Sequence, residues 1–257
     1  MARLVPMCGR YATTRSAADL SALFEAVDET AGPETAGPDA SGPDASGDQP
    51  DVITPRYNVA PTDPVPVVRV SREGGARVLA VGRWGLLPHW ARDRRQGARM
   101  INARAETVAT ARAYADSFAT RRALIPADGW YEWLRDRAGG RQAYFMTPRD
   151  GSVLAFAGLW SRWGPDRLLT FSVVTTAAVG ELAAVHDRMP LVLPASRWER
   201  WLAADPPPIE APSPELLAGL EVRPVGRAVG NVRNDGPELV KRVDISLSPA
   251  PTQPALF

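Results

Sequence analysis

RALIPADGWYEW, residues 122–133, packs a short apolar run, a turn signal and a second apolar run into one stretch. Asp128-Gly129 supplies the turn, and Tyr131-Glu132-Trp133 follows in the alternation of a strand. Runs of the same kind lie on both sides: VPVVRV (65–70), ARVLAVGRWG (76–85), RQAYFMTP (141–148), SVLAFAGLW (152–160) and RLLTFSVVTT (167–176). Short apolar runs separated by turn residues predict an α+β fold with a mostly antiparallel, barrel-like β core and peripheral helices. SAADLSALFEA (16–26) places Leu20, Leu23 and Phe24 at helical spacing behind a Ser16 cap, which predicts one short amphipathic helix. Further helices are expected at 104–118, 179–185, 195–203 and 214–219.

The chain has 257 residues, 45% of them hydrophobic, enough for one substantial core. We read one domain over 8–245, preceded by a removable or untranslated segment (1–7) and followed by a flexible tail (246–257). Residues 27–51 repeat a Gly-Pro-acid-Ala unit with little to bury and read as a disordered acidic insertion. No apolar stretch reaches the roughly 20 residues needed to cross a bilayer, so no membrane partner is expected and the location is read as cytoplasmic, with the nucleoid.

Charge is unevenly placed. Eight acids and no Lys or Arg lie between Glu25 and Asp51, so the rest of the chain carries +9 against a whole-chain net of +1. Lys241 is the only lysine, and the remaining cations are arginines. Arginine holds phosphate in a bidentate fork, which suits nucleic acid, although an Arg-rich composition would look the same.

The single cysteine excludes an internal disulfide and any multi-cysteine metal cluster. Cys8 follows Met7 directly in MCGRYA (7–12). If translation starts at Met7, or if MARLVPM is cut away, Cys8 carries both a thiol and an α-amine. An α-amine titrates near ~8, so a usable fraction is neutral and can attack an aldehyde, and the thiol can then close a thiazolidine ring. An ordinary thiol near the start of the chain is the plainer reading. Asn102 and Arg104, in INARAET (101–107), could orient an amine or hold a phosphate, or simply begin a turn. Glu132 lies between aromatic neighbours, as either a raised-pKa acid/base or a solvent-facing strand residue. His186, in VHDRMPLVL (185–193), is one of two histidines and could be catalytic or structural.

Taken in order, MCGRYA, RYNVAPT (56–62), WGLLPHWA (84–91), INARAET, IPADGWYEW (125–133), VHDRMPLVL and VGRAVGNVRN (225–234) resemble the SRAP family, the SOS-response-associated peptidases or abasic-site processing proteins. The resemblance spans residues 7–241. It implies that Cys8 is the nucleophile that crosslinks to the ring-opened sugar of an abasic site in single-stranded DNA. It further implies that Asn102 positions the amine, that Glu132 moves protons in imine formation and in self-cleavage, and that His186 assists proton transfer and reversal. Arg10, Arg104 and Arg188 match phosphate-binding positions, and Trp90 and Trp133 match aromatics near the DNA path. No metal or organic cofactor is called for. A cysteine peptidase acting in trans and a noncovalent single-strand binding module are the alternatives. The last residues, Gln253-Pro254-Ala255-Leu256-Phe257, resemble the short peptide that docks on the bacterial sliding clamp, with Pro254 where Leu is usual, which implies the clamp as a partner through Gln253, Leu256 and Phe257.

Overall fold

The computed structural model describes residues 9–30, 53–71, 74–135 and 140–244. Cys8 and the clamp-like tail, with Gln253, Leu256 and Phe257, lie outside the described residues. In chain order the strands are β1 Tyr11–Thr13, β2 Val27–Asp28, β3 Arg56–Val59, β4 Pro64–Val70, β5 Arg77–Trp84, β6 Asn102–Arg104, β7 Arg122–Ala127, β8 Gly129–Arg135, β9 Arg141–Pro148, β10 Leu154–Trp163, β11 Leu168–Ala177, β12 Arg188–Pro190 and β13 Leu220–Val225. The α-helices are α1 Ala17–Phe24, α2 Ala115–Thr120, α3 Trp198–Leu202 and α4 Pro214–Ala218.

The five long apolar runs that are buried on both faces close on themselves. β5, β4, β7, β10 and β11 pair antiparallel in that order, and a parallel contact of Thr170–Phe171 with Arg83–Trp84 joins β11 back to β5. The result is a five-stranded mixed barrel, the α+β architecture expected from the sequence. Closure removes the open edges that such apolar strands would otherwise present. A second sheet, ordered β13-β9-β8-β1-β3, covers one side of the barrel. The chain crosses from barrel to second sheet at Asp128-Gly129, so the predicted turn is a corner between layers. Gly129 is required there, since a Cβ would sit 2.3 Å from the Met146 carbonyl oxygen.

Three buried clusters follow from this layering. Val65, Val67, Ile125 and Phe171 fill the barrel and merge with Tyr11, Trp130 and Met146 of the second sheet. On the barrel's outer side, Leu20 and Phe24 of α1 pack with Trp198 and Trp201 of α3, the Phe24 and Trp198 rings lying 4.5 Å apart. The outer face of the second sheet buries Tyr131 and Phe145 against Val229 and Leu239. Strand alternation therefore sends Trp130 and Tyr131 into different layers, and the same alternation governs Glu132 and Trp133.

Helix α1 forms as expected, with the Ser16 hydroxyl accepting from the Asp19 N–H and Glu25 ending it in a left-handed conformation at φ 50°. Its apolar face is narrower than the pattern suggested, because Leu23 is 44% exposed. The expected helices at 195–203 and 214–219 appear as a 3-10 turn leading into α3 and as α4, and 179–185 is a 3-10 helix over Gly180–Ala184.

Two expectations are corrected. Residues 104–118 are not one helix: Asn102–Arg104 form β6, paired parallel to Val173–Thr175, turns follow, and only Ala115–Thr120 are α-helical. Pairing to β11, together with the ion pair that Glu106 makes with Arg188, outweighs helix propensity in that stretch. The acidic insertion also starts later than residue 27. Val27–Asp28 pair parallel with Val78–Leu79, the Glu29 N–H donates to the Leu79 carbonyl, and the Glu29 carboxylate sits 2.5 Å from Arg69. Backbone pairing and a cation partner thus hold the leading edge of that segment in the fold.

Candidate functional site

Trp84 organises the site from within the core. Its indole N–H donates to the Ile101 carbonyl at 2.9 Å, and its ring meets the Tyr11 ring edge-on at 5.1 Å. INARAET and the strand that follows MCGR are thereby fixed to the same side chain. Ile101, Trp130, Leu182 and Met189 all belong to the cluster around Trp84. Asn102 follows Ile101 directly, Glu132 is two residues from Trp130, and His186 stands between Leu182 and Met189. Glu132 is only 3% exposed, which rules out the solvent-facing reading of that residue. Its cross-strand partner is Tyr144, a side chain packed against the same cluster.

Thr175 ties the INARAET and VHDRMPLVL segments together. Its carbonyl accepts from the Ala105 N–H at 2.8 Å and from Arg188 Nη2 at 2.7 Å, while Thr175 registers with Arg104 on one side and Pro190 on the other. Arg188 is buried and forms a two-pronged pair with Glu106, Nη1 to Oε1 at 2.6 Å and Nη2 to Oε2 at 2.9 Å. That pair pulls the Glu106 carboxyl below its usual range. Arg104, on the exposed side of β6, presents its charge to solvent.

The backbone N–H of Arg188 donates to His186 Nδ1 at 3.0 Å. Asp187 Oδ1 lies 3.0 Å from the same nitrogen, but Asp187 is 85% exposed. An Nδ1 that accepts from the backbone leaves the proton of a neutral imidazole on Nε2, and the Asp187 contact becomes favourable only when the ring is charged. The ring is therefore held as an Nε2–H donor when neutral. Tyr114 supports the other side, its hydroxyl donating to the Asn102 carbonyl at 3.0 Å.

On the opposite face of β8, Trp133 joins Gly9, Arg10, Pro61, Arg141 and Arg227 around a cleft of about 570 Å³. Burial pushes the Arg10 guanidinium below its usual value, with Asp63 opposing the shift. Arg10 Nη1 donates to Asn58 Oδ1 at 2.9 Å and to the Val229 carbonyl at 3.0 Å. Asn58, fully buried, directs its amide to the Val229, Asn231 and Asn234 carbonyls at 3.2, 3.0 and 2.9 Å. Asp235 completes the clasp, accepting from the Tyr57 N–H at 2.6 Å and from Arg56 Nε at 2.5 Å. The motifs RYNVAPT and VGRAVGNVRN, far apart in sequence, are one structural unit that forms the wall of this cleft.

Of the sequence-predicted residues, the structure brings Arg10 together with Trp133 in the basic cleft and Arg104 with Arg188 at Thr175, while Asn102, Glu132 and His186 each stand close in sequence to residues of the core cluster. Trp90 lies apart from all of them, under the Arg112 guanidinium at 5.0 Å. Sequence reasoning missed Asn58, Glu106, Tyr114, Arg141, Arg227 and Asp235. Asn58 sits inside the motif RYNVAPT, and only the carbonyls it meets, some 170 residues on, reveal what it does. Among the described residues no group of three or more His, Cys, Asp and Glu is placed to hold a metal ion, and no helix is long and apolar enough to cross a membrane.

Replacing Asn58 with Ala takes the amide from three carbonyls and the acceptor from one guanidinium; the Val229 carbonyl keeps Arg10 and the Asn231 carbonyl keeps the Asn234 N–H, so the Asn234 carbonyl and the Arg10 N–H bear most of the loss. Unsatisfied buried groups cost about 1–3 kcal/mol each, and about 2–4 °C of Tm accompanies each kcal/mol in a chain of this size. Asn58→Ala should lower Tm by about 10 °C, and a melting curve within about 2 °C of the parent would remove Asn58 from this role.

The profile described as SOS response associated peptidase (SRAP) matches residues 7–232, almost the whole of the described fold. This chain belongs to the SRAP family. It is 33% identical over 246 residues to the abasic site processing protein YedK of Escherichia coli (strain K12), covering 92% of this chain and all of that one. The abasic site processing protein YoqW of Bacillus subtilis (strain 168) is 32% identical over 194 residues, covering 73% of this chain and 86% of that one. A crystal structure of a Bacteroides thetaiotaomicron protein superposes with a TM-score of 0.69 at 19% identity, covering 92% of this chain and all of that one, and supports the SRAP fold alone.

Proposed function

We propose that this protein processes abasic sites in single-stranded DNA by forming a thiazolidine crosslink through Cys8 once Cys8 is the first residue. The observation that supports the proposal is the SRAP match over residues 7–232, with Asn102, buried Glu132 and His186 each close in sequence to residues of the core cluster around Trp84. The Arg10 carbonyl accepts from the Tyr131 N–H at 3.0 Å, and continuing that antiparallel register sets Gly9 across from Glu132. Gly9, the first described residue, thus lies across from a buried carboxyl.

The chemistry balances without an oxidant. The α-amine adds to the C1′ aldehyde, the carbinolamine loses water to give an imine, and the thiol adds across C=N to close the ring, so one water leaves overall. Glu132 takes the amine proton and returns it to the departing hydroxyl. Asn102 orients the amine by hydrogen bonding. His186 as imidazolium protonates the sugar oxygen as the ring opens, and the neutral imidazole left behind can take a proton from the water that adds to the imine, once the thiol has left, when the link reverses. Arg10 and Trp133 in the basic cleft, with Arg104 beyond, bind the phosphates and bases on either side. Glu132 also serves as the acid/base for self-removal of residues 1–7. The aldehyde exists only where a base is missing, which gives lesion selectivity with no reading of sequence.

Intact-mass spectrometry tests this directly. Protein beginning at Cys8 should gain the mass of an abasic oligonucleotide less one water, and gain nothing from the same oligonucleotide whose aldehyde has been reduced to an alcohol. Equal, salt-sensitive retention of abasic and intact strands with no mass gain would replace the proposal with a noncovalent binding module.

A further inference from the structure

The second sheet ends on an open edge. β13 pairs with β9 on one side, and no strand among the described residues pairs with its other side. After the 3-10 helix Pro237–Val240, the chain begins to cover that edge: Arg242 and Val225 form an antiparallel bridge, and the Val243 N–H donates to the Pro224 carbonyl at 3.0 Å. Backbone groups along a strand alternate between its two sides, so this one bond sets the rest. Leu220 and Val222, in step with Pro224, aim their N–H and C=O groups outward. Gly219, out of step with them, accepts from the Arg149 N–H on the β9 side at 2.9 Å.

Counted on from Val243, the same register sets Asp244 across from Arg223, Ile245 from Val222, Ser246 from Glu221 and Leu247 from Leu220. The acid meets a guanidinium. Ile245 and Leu247 fall on the face of β13 whose Leu220 and Val222 pack with the core around Trp84. A slip of one residue would put Ser246 on that face instead. Pro249, with no N–H to give, comes level with Ala218, just before β13 begins, so the ladder ends where its partner does.

Beside that face runs a groove of about 270 Å³, lined by Val179, Leu182, Leu217, Leu220 and Val222 together with Arg149 and Glu181. Val179 is 36% exposed there. The Leu182 carbonyl accepts the His186 N–H at 3.1 Å, so whatever fills the groove braces the turn ahead of His186.

We propose that residues 244–247 form one more strand on the edge of β13 and seat Ile245 and Leu247 in this groove. The occupant is close at hand: the described residues end at Asp244, already in register, with thirteen residues of chain to follow. Pairing the outward backbone groups and burying two aliphatic side chains both favour it. The inference stands independently of the crosslinking chemistry.

Amide exchange and melting of the full-length chain test it. The Ile245 and Leu247 N–H groups should donate to the Val222 and Leu220 carbonyls. They and the N–H groups of Val222 and Leu220 should exchange at least about 100-fold more slowly than in an unstructured chain, while the Ser246 N–H, on the solvent side, exchanges freely. Ile245→Ser with Leu247→Ser should speed exchange at Val222 and His186 at least about tenfold and lower Tm by about 5 °C. Ser246→Ala, on the other face, should do neither. Exchange at Ile245 and Leu247 as fast as in an unstructured chain overturns the strand and leaves the edge to another partner. So does a Ser pair with Tm within about 1 °C of the parent and unchanged exchange at Val222 and His186. Protection that falls on dilution would make the occupant a second copy of this chain, which also overturns it.

Discussion

Protein that retains residues 1–7 will form no stable adduct with an abasic strand, and the same chain beginning at Cys8 will be converted. The argument turns on the α-amine. With a reference pKa near ~8, about a fifth of such amines are neutral at pH 7.4, against about one in a thousand for a lysine near ~10.4. A peptide-bonded Cys8 nitrogen is an amide and cannot form an imine at all. Its thiol alone can add to the aldehyde, but a hemithioacetal reverts on dilution. Background reaction is low, because Lys241 is the chain's only lysine. Cys8→Ser at the N-terminus separates the two nucleophiles: the amine survives, the ring does not close, and the adduct should be seen only after the imine is reduced with borohydride. Intact mass of the extended, Cys8-initiated and Cys8→Ser proteins distinguishes these cases. A stable adduct on the extended protein, at a yield matching the Cys8-initiated one, would show that the linkage is not a thiazolidine.

The sequence announced the barrel because its strands are short, apolar on both faces and punctuated by turn residues, as in VPVVRV and SVLAFAGLW. It did not announce closure. The parallel contact that joins β11 to β5 involves only Thr170–Phe171 with Arg83–Trp84, and nothing in either run marks it locally. Residues 104–118 mislead for a related reason: INARAET scores as a helix start, but the partner that makes it a strand lies at Val173–Thr175. The side chains proposed to react were read from short motifs. Their supports were not, because Asn58, Glu106 and Tyr114 acquire meaning only through contacts distant in sequence. Arg188 illustrates the limit. Its residue type suited a phosphate ligand, yet its guanidinium is buried in a two-pronged pair with Glu106 and bonded to Thr175, and no sequence pattern reveals the backbone N–H it contributes to His186.

Glu132→Gln should slow crosslinking by about 10²–10⁴-fold, the usual contribution of a positioned acid/base. Gln keeps the volume and a hydrogen-bonding head in a position that is 3% exposed, so packing is disturbed little and the loss reports on proton transfer. Two readouts separate this role from a structural one. The parental pH–rate profile should rise on two limbs, one as the α-amine loses its proton and one as the Glu132 carboxyl loses its own, and the Gln variant should lose the carboxyl limb while keeping the amine limb. Glu132→Asp should recover part of the rate with the limb restored, since the carboxyl is present but one methylene short. Melting temperature, measured alongside, should stay within about 4 °C for Gln, the scale of a single neutral hydrogen-bond change. A rate within about threefold of the parent, or a slow variant whose pH profile keeps both limbs, would assign the proton transfer elsewhere and leave His186, with its Nε2–H directed by the Arg188 backbone, as the group that must carry it.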